Sequence, residues 1–354
     1  MIQQNLPSTP LPGSFESMRV RSYGRIHFGL IEISESQPNC FGGIGLMIDH
    51  SHALLKATKV KATKGHSIIG SSTLHGCTIT ANAHWLPRIE SVANHWLQDR
   101  PRLPFRSIEM IASPLPHQGL GSGTQVACTV AALLIAADFH SELAVVPSSD
   151  SIGKLLVLEA LAKLSQRGRR SNIGLRGFME GGFIVDHGQP ENEKSRTERV
   201  AFPDWPILII QDLESTGDSG NDETTMFEQC SRIANPNREA MIQLVKQSIL
   251  PAINMRDWSQ FDSALGQYGR WAGQIFRPVQ GGIYRSPQIA ETIAMSARLG
   301  IHGATQSSWG PAVCAVAQDD EHAEWCRVQL QTMLPHARVE ATRAANHSAQ
   351  VQFS

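Results

Sequence analysis

The spacing of apolar and polar positions divides this 354-residue chain into a β-rich start and a mixed remainder. Arg19 to Ser34, RVRSYGRIHFGLIEIS, alternates with glycine interruptions. Short runs of similar character follow at Gly43–His50, His52–Thr58 and Cys77–Trp85, so Arg19 to Thr80 reads as mostly β, in antiparallel hairpins. Ile89 to Asp99 has helical spacing, and Ser107 to Ser113 reads as a strand. Val126, Val130, Leu133, Leu134 and Ala137 fall on one helical face. A second helix, Ser151 to Gln166, carries Ile152, Leu155, Leu156, Leu158, Ala162 and Leu164 and stops at Arg167-Gly168. Gly182 to Asp186 reads as a buried strand.

The polar segment His187 to Val200 marks a boundary. Beyond it, Pro206–Leu213 predicts a strong strand, and helices are expected at Arg238–Met255, Trp258–Gly273 and Pro287–Leu299. Pro311–Val316 reads as a strand, Glu321–Met333 as a helix and Ala337–Ala341 as the last strand. The mixture predicts an α+β fold without a regular βαβ series. The expected layout is a flexible leader over residues 1–17, a first domain over 18–187, a linker over 188–203 and a second domain over 204–354.

Composition narrows the class. Hydrophobic residues make up 41% and charged residues 18%, enough for a substantial core. A formal net charge of −1 gives no global pull toward nucleic acid or an anionic membrane. The six cysteines are scattered with no C-x-x-C pair, so neither a zinc ribbon nor a disulfide framework is expected. The first residues lack an apolar signal core, and Val126–Ala137 is too short to span a bilayer. A cytoplasmic location is expected, with a homodimer as a plausible assembly.

Four segments carry candidate chemistry. PHQGLGSGTQ, Pro116 to Gln125, places Gly119, Leu120, Gly121, Ser122, Gly123, Thr124 and Gln125 directly before an apolar helix. Glycines permit tight bends, and the first amides of a helix lack internal partners and carry partial positive charge. The pair makes an anion cradle suited to phosphate or diphosphate; the same pattern also serves as a plain turn before a core helix. Ala160 to Met179 contains no Asp or Glu but holds Lys163, Arg167, Arg169, Arg170 and Arg176, with Ser171 among them. Guanidinium forks match phosphate oxygens two at a time, so this reads as a polyanion-binding wall or a solvated basic surface. In an extended Gly24–Ser34, Arg25 and His27 share one face, a pairing that reads either as a phosphate or carboxylate site, with His27 available as acid or base near neutral pH, or as a core histidine beside a surface arginine. A polar loop at Gly303–Pro311 offers the Ser307 and Ser308 hydroxyls and the flat face of Trp309, which serves either for ring stacking or as a cap on the core.

Together these segments resemble the GHMP kinase superfamily over nearly the whole chain after the leader. That resemblance implies a two-lobed α+β fold, with an N-terminal lobe like ribosomal protein S5 and a ferredoxin-like C-terminal lobe. Ser122 matches the superfamily's phosphate loop, whereas Gly123, Thr124 and Gln125 replace its small residues. The kinases' P-S-G-x-D motif would fall on Arg170–Gly174, which puts Gly174 where they carry an aspartate. Phosphoryl transfer needs a carboxylate near the acceptor and the magnesium. An ATP-dependent small-molecule kinase would need that acid from elsewhere, such as Asp49 or Asp186. A catalytically dead anion binder is the third option.

GRIHFGLIEIS, FGGIGLMID, GLGSGTQ, RGRRSNIGLRGFMEGGFIVD and QSSWGP, in that order, resemble the β-ribofuranosylaminobenzene 5′-phosphate synthase family, with Asn172 where glycine is expected. The resemblance implies condensation of phosphoribosyl diphosphate with 4-aminobenzoate, loss of CO2 and diphosphate, Mg2+ accompanying the diphosphate, and a place in methanopterin biosynthesis. It implies Arg25 and His27 as groups orienting the reacting pair. The loop residues with Arg167, Arg169, Arg170, Ser171, Ser307, Ser308 and Trp309 would then bind substrate.

Overall fold

The computed structural model describes residues 15–31, 41–50, 52–59, 70–139, 151–168, 171–188, 197–212 and 235–354. Its strands form three sheets. The first combines β1 (Ser17–Arg21), β4 (Leu54–Thr58), β5 (Gly70–Leu74), β6 (Cys77–Ala81), β7 (Ser107–Ala112) and β14 (Gln350–Phe353), in the order β14-β1-β4-β7-β6-β5. Its pairings are antiparallel except β6 with β7. The second sheet runs β2 (Gly24–Leu30), β3 (Gly43–Ile48), β8 (Phe183–Asp186), β9 (Thr197–Val200). The third runs β11 (Thr305–Gln306), β12 (Val313–Val316), β10 (Ile207–Asp212), β13 (Ala337–Thr342).

One helix fixes the geometry that matters. α2 (Ser122–Phe139) is apolar on every side, and no residue from Val126 to Ala137 is more than 4% exposed. A helix hydrophobic all round belongs inside a core. It packs between α1 (Leu86–Asp99), α3 (Ser151–Ser165), α4 (Ile173–Glu180) and the first sheet. Packing on all sides holds its N-terminus, and the glycine loop before it, in one position.

A second core joins the two halves of the chain. Ile26, Phe28, Ile44, Leu46 and Phe183 from the second sheet pack with Ile207 and Ile209 of β10 and with Phe261, Leu265 and Tyr268 of α7 (Trp258–Gln280). The helical stretch before α7 is α5 (Arg238–Leu244), a π turn (Val245–Ile249) and α6 (Leu250–Met255). α8 (Pro287–Arg298) and α9 (Asp320–Met333) lie against the third sheet.

Three boundaries differ from the sequence expectation. Part of the expected leader is packed into the fold: Phe15 is buried edge-on to Phe353, and the Glu16 N–H donates to the Ser354 carbonyl at 2.8 Å. Residues 1–14 lie outside the described residues. The polar linker contains β9, which pairs with β8. The last strand returns to the first sheet, with Met18 opposite Phe353, so 204–354 is not a self-contained unit. The first and third rest on partners at the other end of the chain, which local patterning does not register; β9 is a short polar strand that composition alone marks as linker. No helix among the described residues is long and apolar enough to cross a membrane.

Candidate active site

The glycine loop is built by left-handed turns. Gly119 and Gly121 take φ of +75° and +69°, which side chains rarely adopt. The Thr124 and Gln125 N–H groups turn back to the Gly121 carbonyl, each at 3.1 Å. The N–H groups of Gly119, Leu120, Gly121, Ser122 and Gly123 have no acceptor among the described residues. Amides without acceptors at the positive end of an 18-residue helix have the arrangement an anion cradle requires.

Two guanidinium groups flank it. The Arg25 N–H donates to the Leu120 carbonyl at 2.9 Å, pinning β2 to the loop. Its side chain lies so close to Gly121 that a Cβ there would sit 3.0 Å from Arg25 Nε. On the other flank, Arg167 Nη2 reaches the Gly123 carbonyl at 3.5 Å. Arg169 and Arg170 lie outside the described residues. Two other cations of the acid-free window have counter-charges after all: Lys163 pairs with Asp99 at 3.2 Å, and Arg176 pairs with Glu180 at 3.3 Å. The acids come from just past the window and from α1, so composition within the window missed them.

Gly174 sits on the first turn of α4, facing the loop. A Cβ at that position would lie 2.9 Å from Thr124 Cγ2 and 3.3 Å from Arg25 Nη1. The place that matches the kinases' aspartate is therefore filled by Thr124 and an arginine. The other two acids are engaged elsewhere. Asp186, 3% exposed, accepts from the Asn172 N–H at 2.7 Å, Ser171 Oγ at 3.4 Å and the Gly188 N–H at 3.2 Å. Burial raises its pKa, while those donors oppose the rise. Asp49 pairs with Arg21 at 3.0 Å. The Ser171 hydroxyl thus serves Asp186, and it also accepts from the Ile173 N–H at 3.3 Å at the start of α4.

Of the two readings of His27, the core histidine describes its position. It is 6% exposed, and burial together with Arg25 depresses its pKa from 6.5 to about 3. Its Nδ1 accepts the Gly29 N–H at 3.2 Å across a β-bulge, so the ring is neutral with its proton on Nε2. An imidazole in this state is no acid or base near neutral pH. Its backbone instead anchors the third sheet. The His27 N–H donates to Ser307 Oγ at 3.2 Å, the Ser308 N–H donates to the His27 carbonyl at 2.8 Å, and Ser307 Oγ donates to the Gly119 carbonyl at 2.7 Å.

Several expected ligand-binding side chains are buried. Leu120 belongs to the second core, while Gln125 and Ser307 are 0% exposed. Gln125 Nε2 donates to the Gly174 carbonyl at 3.3 Å, holding α2 to α4. Trp309, 5% exposed, packs on Phe276 with ring centroids 4.3 Å apart and Leu30, Phe41 and Ile275 around it. Its core-capping alternative describes that position. Gly121, Ser122, Gly123, Thr124, Arg25 and Arg167 do converge on the loop. Sequence reasoning missed Gln211, whose Nε2 donates to Gln118 Oε1 at 3.2 Å, and Arg285, whose Nη1 donates to the Trp309 carbonyl at 3.3 Å. Both join the loops from positions with no local motif.

No family profile matches the chain. It resembles a beta-ribofuranosylphenol 5′-phosphate synthase of Archaeoglobus fulgidus, 27% identical over 70% of this chain and 74% of the relative. It also resembles the protein of that name in Methanothermobacter thermautotrophicus, 23% identical over 85% of this chain and 88% of the relative. The fold is that of the GHMP kinases. A homoserine kinase from Cytophaga hutchinsonii superposes with a TM-score of 0.56 at 11% identity, over 98% of this chain and 100% of the other. The mevalonate diphosphate decarboxylase of Enterococcus faecalis does so with a TM-score of 0.60 at 14% identity, over 96% and 100%.

Proposed function

We propose that this chain joins phosphoribosyl diphosphate to the ring of a para-substituted benzoate, releasing CO2 and diphosphate. Its similarity to the synthases supports the reaction class. The relatives' name specifies a phenol, which makes 4-hydroxybenzoate a candidate acceptor beside 4-aminobenzoate. The observation that carries the reading is Arg25. Its guanidinium stands between Gly121 of the loop and Gly174, where phosphoryl transfer by this fold would require a carboxylate.

The chemistry suits such a site. The bond from ribose C1 to the diphosphate oxygen breaks, and its electron pair leaves with diphosphate. The loop amides and the Arg25 and Arg167 side chains stabilise that departing charge. The ring carbon bearing the carboxylate attacks C1, assisted by electron release from the para substituent. The carbon–carboxylate bond then returns its electrons to the ring as CO2 leaves. The carboxylate is already ionised and no ring proton is removed, so no general base is needed, in keeping with a neutral His27.

Mg2+ is assigned to the substrate. Among the described residues no group of three or more His, Cys, Asp or Glu side chains could hold a metal. Magnesium is commonly held through substrate phosphates and water, for which the Ser122 and Thr124 hydroxyls are suitable additional oxygen donors. When bound, it neutralises charge on the diphosphate. We also read the third sheet with α8 and α9 as the ferredoxin-like lobe, and the lobe around α2 as S5-like.

The test is release of labelled CO2 from carboxyl-labelled 4-aminobenzoate and 4-hydroxybenzoate, with and without phosphoribosyl diphosphate. Release that requires the sugar diphosphate supports the reading. Phosphoryl transfer from ATP to a small acceptor, with no CO2 from either benzoate, would replace it with the kinase.

A further inference from the structure

We propose that His84, Arg88 and His117 form a monophosphate subsite at the rim of the glycine loop, and that it receives the 5-phosphate of the phosphoribosyl substrate. The assignment of this phosphate rests on the reaction proposed above.

The three side chains come from two segments. His84 precedes α1 and Arg88 lies in its first turn, whereas His117 belongs to the loop, two residues before Gly119. The His84 and His117 rings meet edge to face with centroids 5.0 Å apart. The corner bearing His84 is held from both sides. Its N–H donates to Asn82 Oδ1 at 2.9 Å, and its ring stands edge-on to Trp85 with centroids 4.6 Å apart. Buried Trp85 in turn donates from Nε1 to the Pro114 carbonyl at 2.9 Å, tying this corner to the chain that enters the loop.

The group contains no acid. Burial, then His117 and Arg88, lower the His84 pKa, so Arg88 supplies the positive charge and the His84 imidazole a neutral donor. None of the three forms an ion pair among the described residues. His117 also holds a left-handed φ of +56° without being glycine. Such a conformation is costly and collects at ligand sites. A phosphate dianion supplies what this group lacks: negative charge and several acceptor oxygens for imidazole and guanidinium donors. Phosphoribosyl diphosphate carries its two anions on opposite sides of the ribose. The loop carries the amides of Gly119–Gly123 without acceptors and, two residues upstream of Gly119, His117 with its neighbours.

Titration calorimetry on the full chain tests this, with ribose 5-phosphate and magnesium diphosphate as separate probes. Arg88→Gln and His84→Gln remove donors on the surface. His117→Asn removes the imidazole while keeping a residue that tolerates left-handed angles. Each variant should weaken ribose 5-phosphate by about 10-fold and leave diphosphate within about twofold, the pattern of a lost charge-assisted contact. Unchanged ribose 5-phosphate affinity in all three would overturn the subsite, as would a parallel loss for diphosphate. The two proposals fail separately. Absence of CO2 release from the parent protein, with the ribose 5-phosphate pattern intact, removes the reaction and leaves the subsite. CO2 release with no such pattern removes the subsite alone.

Discussion

Ser307 Oγ donates to the Gly119 carbonyl at 2.7 Å although 188 residues separate them. The same oxygen accepts the His27 N–H at 3.2 Å, so one buried hydroxyl joins the glycine loop, β2 and the loop after β11. Ser307→Ala strands a buried N–H and a part-buried carbonyl, which costs about 1–3 kcal/mol. Thermal unfolding should show that loss, and diphosphate affinity should fall with it because the loop is no longer held. Ser308→Ala should do neither, since its tie to β2 is made by the backbone N–H. Equal behaviour of the two variants would remove Ser307 as the link.

Gly121 is required for two independent reasons. Its φ is +69°, and a methyl group there would lie 3.0–3.2 Å from Arg25 Nε, Cβ and Cζ. Left-handed backbone costs an alanine about 1–2 kcal/mol. Displacement of Arg25 adds a loss of positioning, for which misplacement by about 1 Å can cost about 100-fold in rate. Gly121→Ala should therefore lose far more turnover than stability. Paired measurement of kcat/KM and unfolding midpoint checks this; proportionate losses in both would mean the alanine acts only through stability.

The parts legible from sequence were those written locally. The loop before α2 and the helices at Ser151, Trp258, Pro287 and Asp320 each announce themselves by spacing and punctuation. α4 did not. No helix was expected between Gln166 and Gly182, where Gly174 and Gly177 interrupt the pattern, yet both are packing glycines: a Cβ on Gly177 would lie 2.3 Å from Met47 Sδ. β14 was missed because QVQF is short and its partner is β1 at the other end of the chain. Arg25 was legible as a candidate from its strand position. The burial of His27 was legible only as one of two alternatives, because Ile26, His27 and Phe28 are all covered and alternation reports only one face.

Gly174→Asp tests whether one carboxylate would restore phosphoryl transfer. The new Cβ would meet Thr124 Cγ2 at 2.9 Å and Arg25 Nη1 at 3.3 Å. The carboxylate would pair with Arg25 before it could orient an acceptor hydroxyl. The variant should lose CO2 release by about 100-fold or more, through misplaced Arg25, and gain no ATP-dependent phosphorylation. Phosphoryl transfer by this variant, followed with labelled ATP, would show that the fold retains the rest of a kinase site.

His27 leaves a mark on stability rather than on catalysis. Its pKa falls from an ordinary 6.5 to about 3 in the folded chain, through burial and then Arg25. Between those values the unfolded chain binds a proton that the folded chain refuses. The stability associated with neutral His27 is complete above about pH 6.5 and is lost as pH falls toward 3, with a limiting slope of about 1.4 kcal/mol per pH unit. Asp186 and Asp262 have raised pKa values and act with the opposite sign, so the parent curve must be compared with that of a variant. His27→Gln should flatten urea-unfolding stability between about pH 4.5 and 6.5 relative to the parent, following the same linkage relation. The parent's kcat/KM should meanwhile show no ionisation attributable to His27 near neutrality. A neutral limb in kcat/KM that disappears in His27→Gln would return this residue to the proton-transfer role its sequence position suggests.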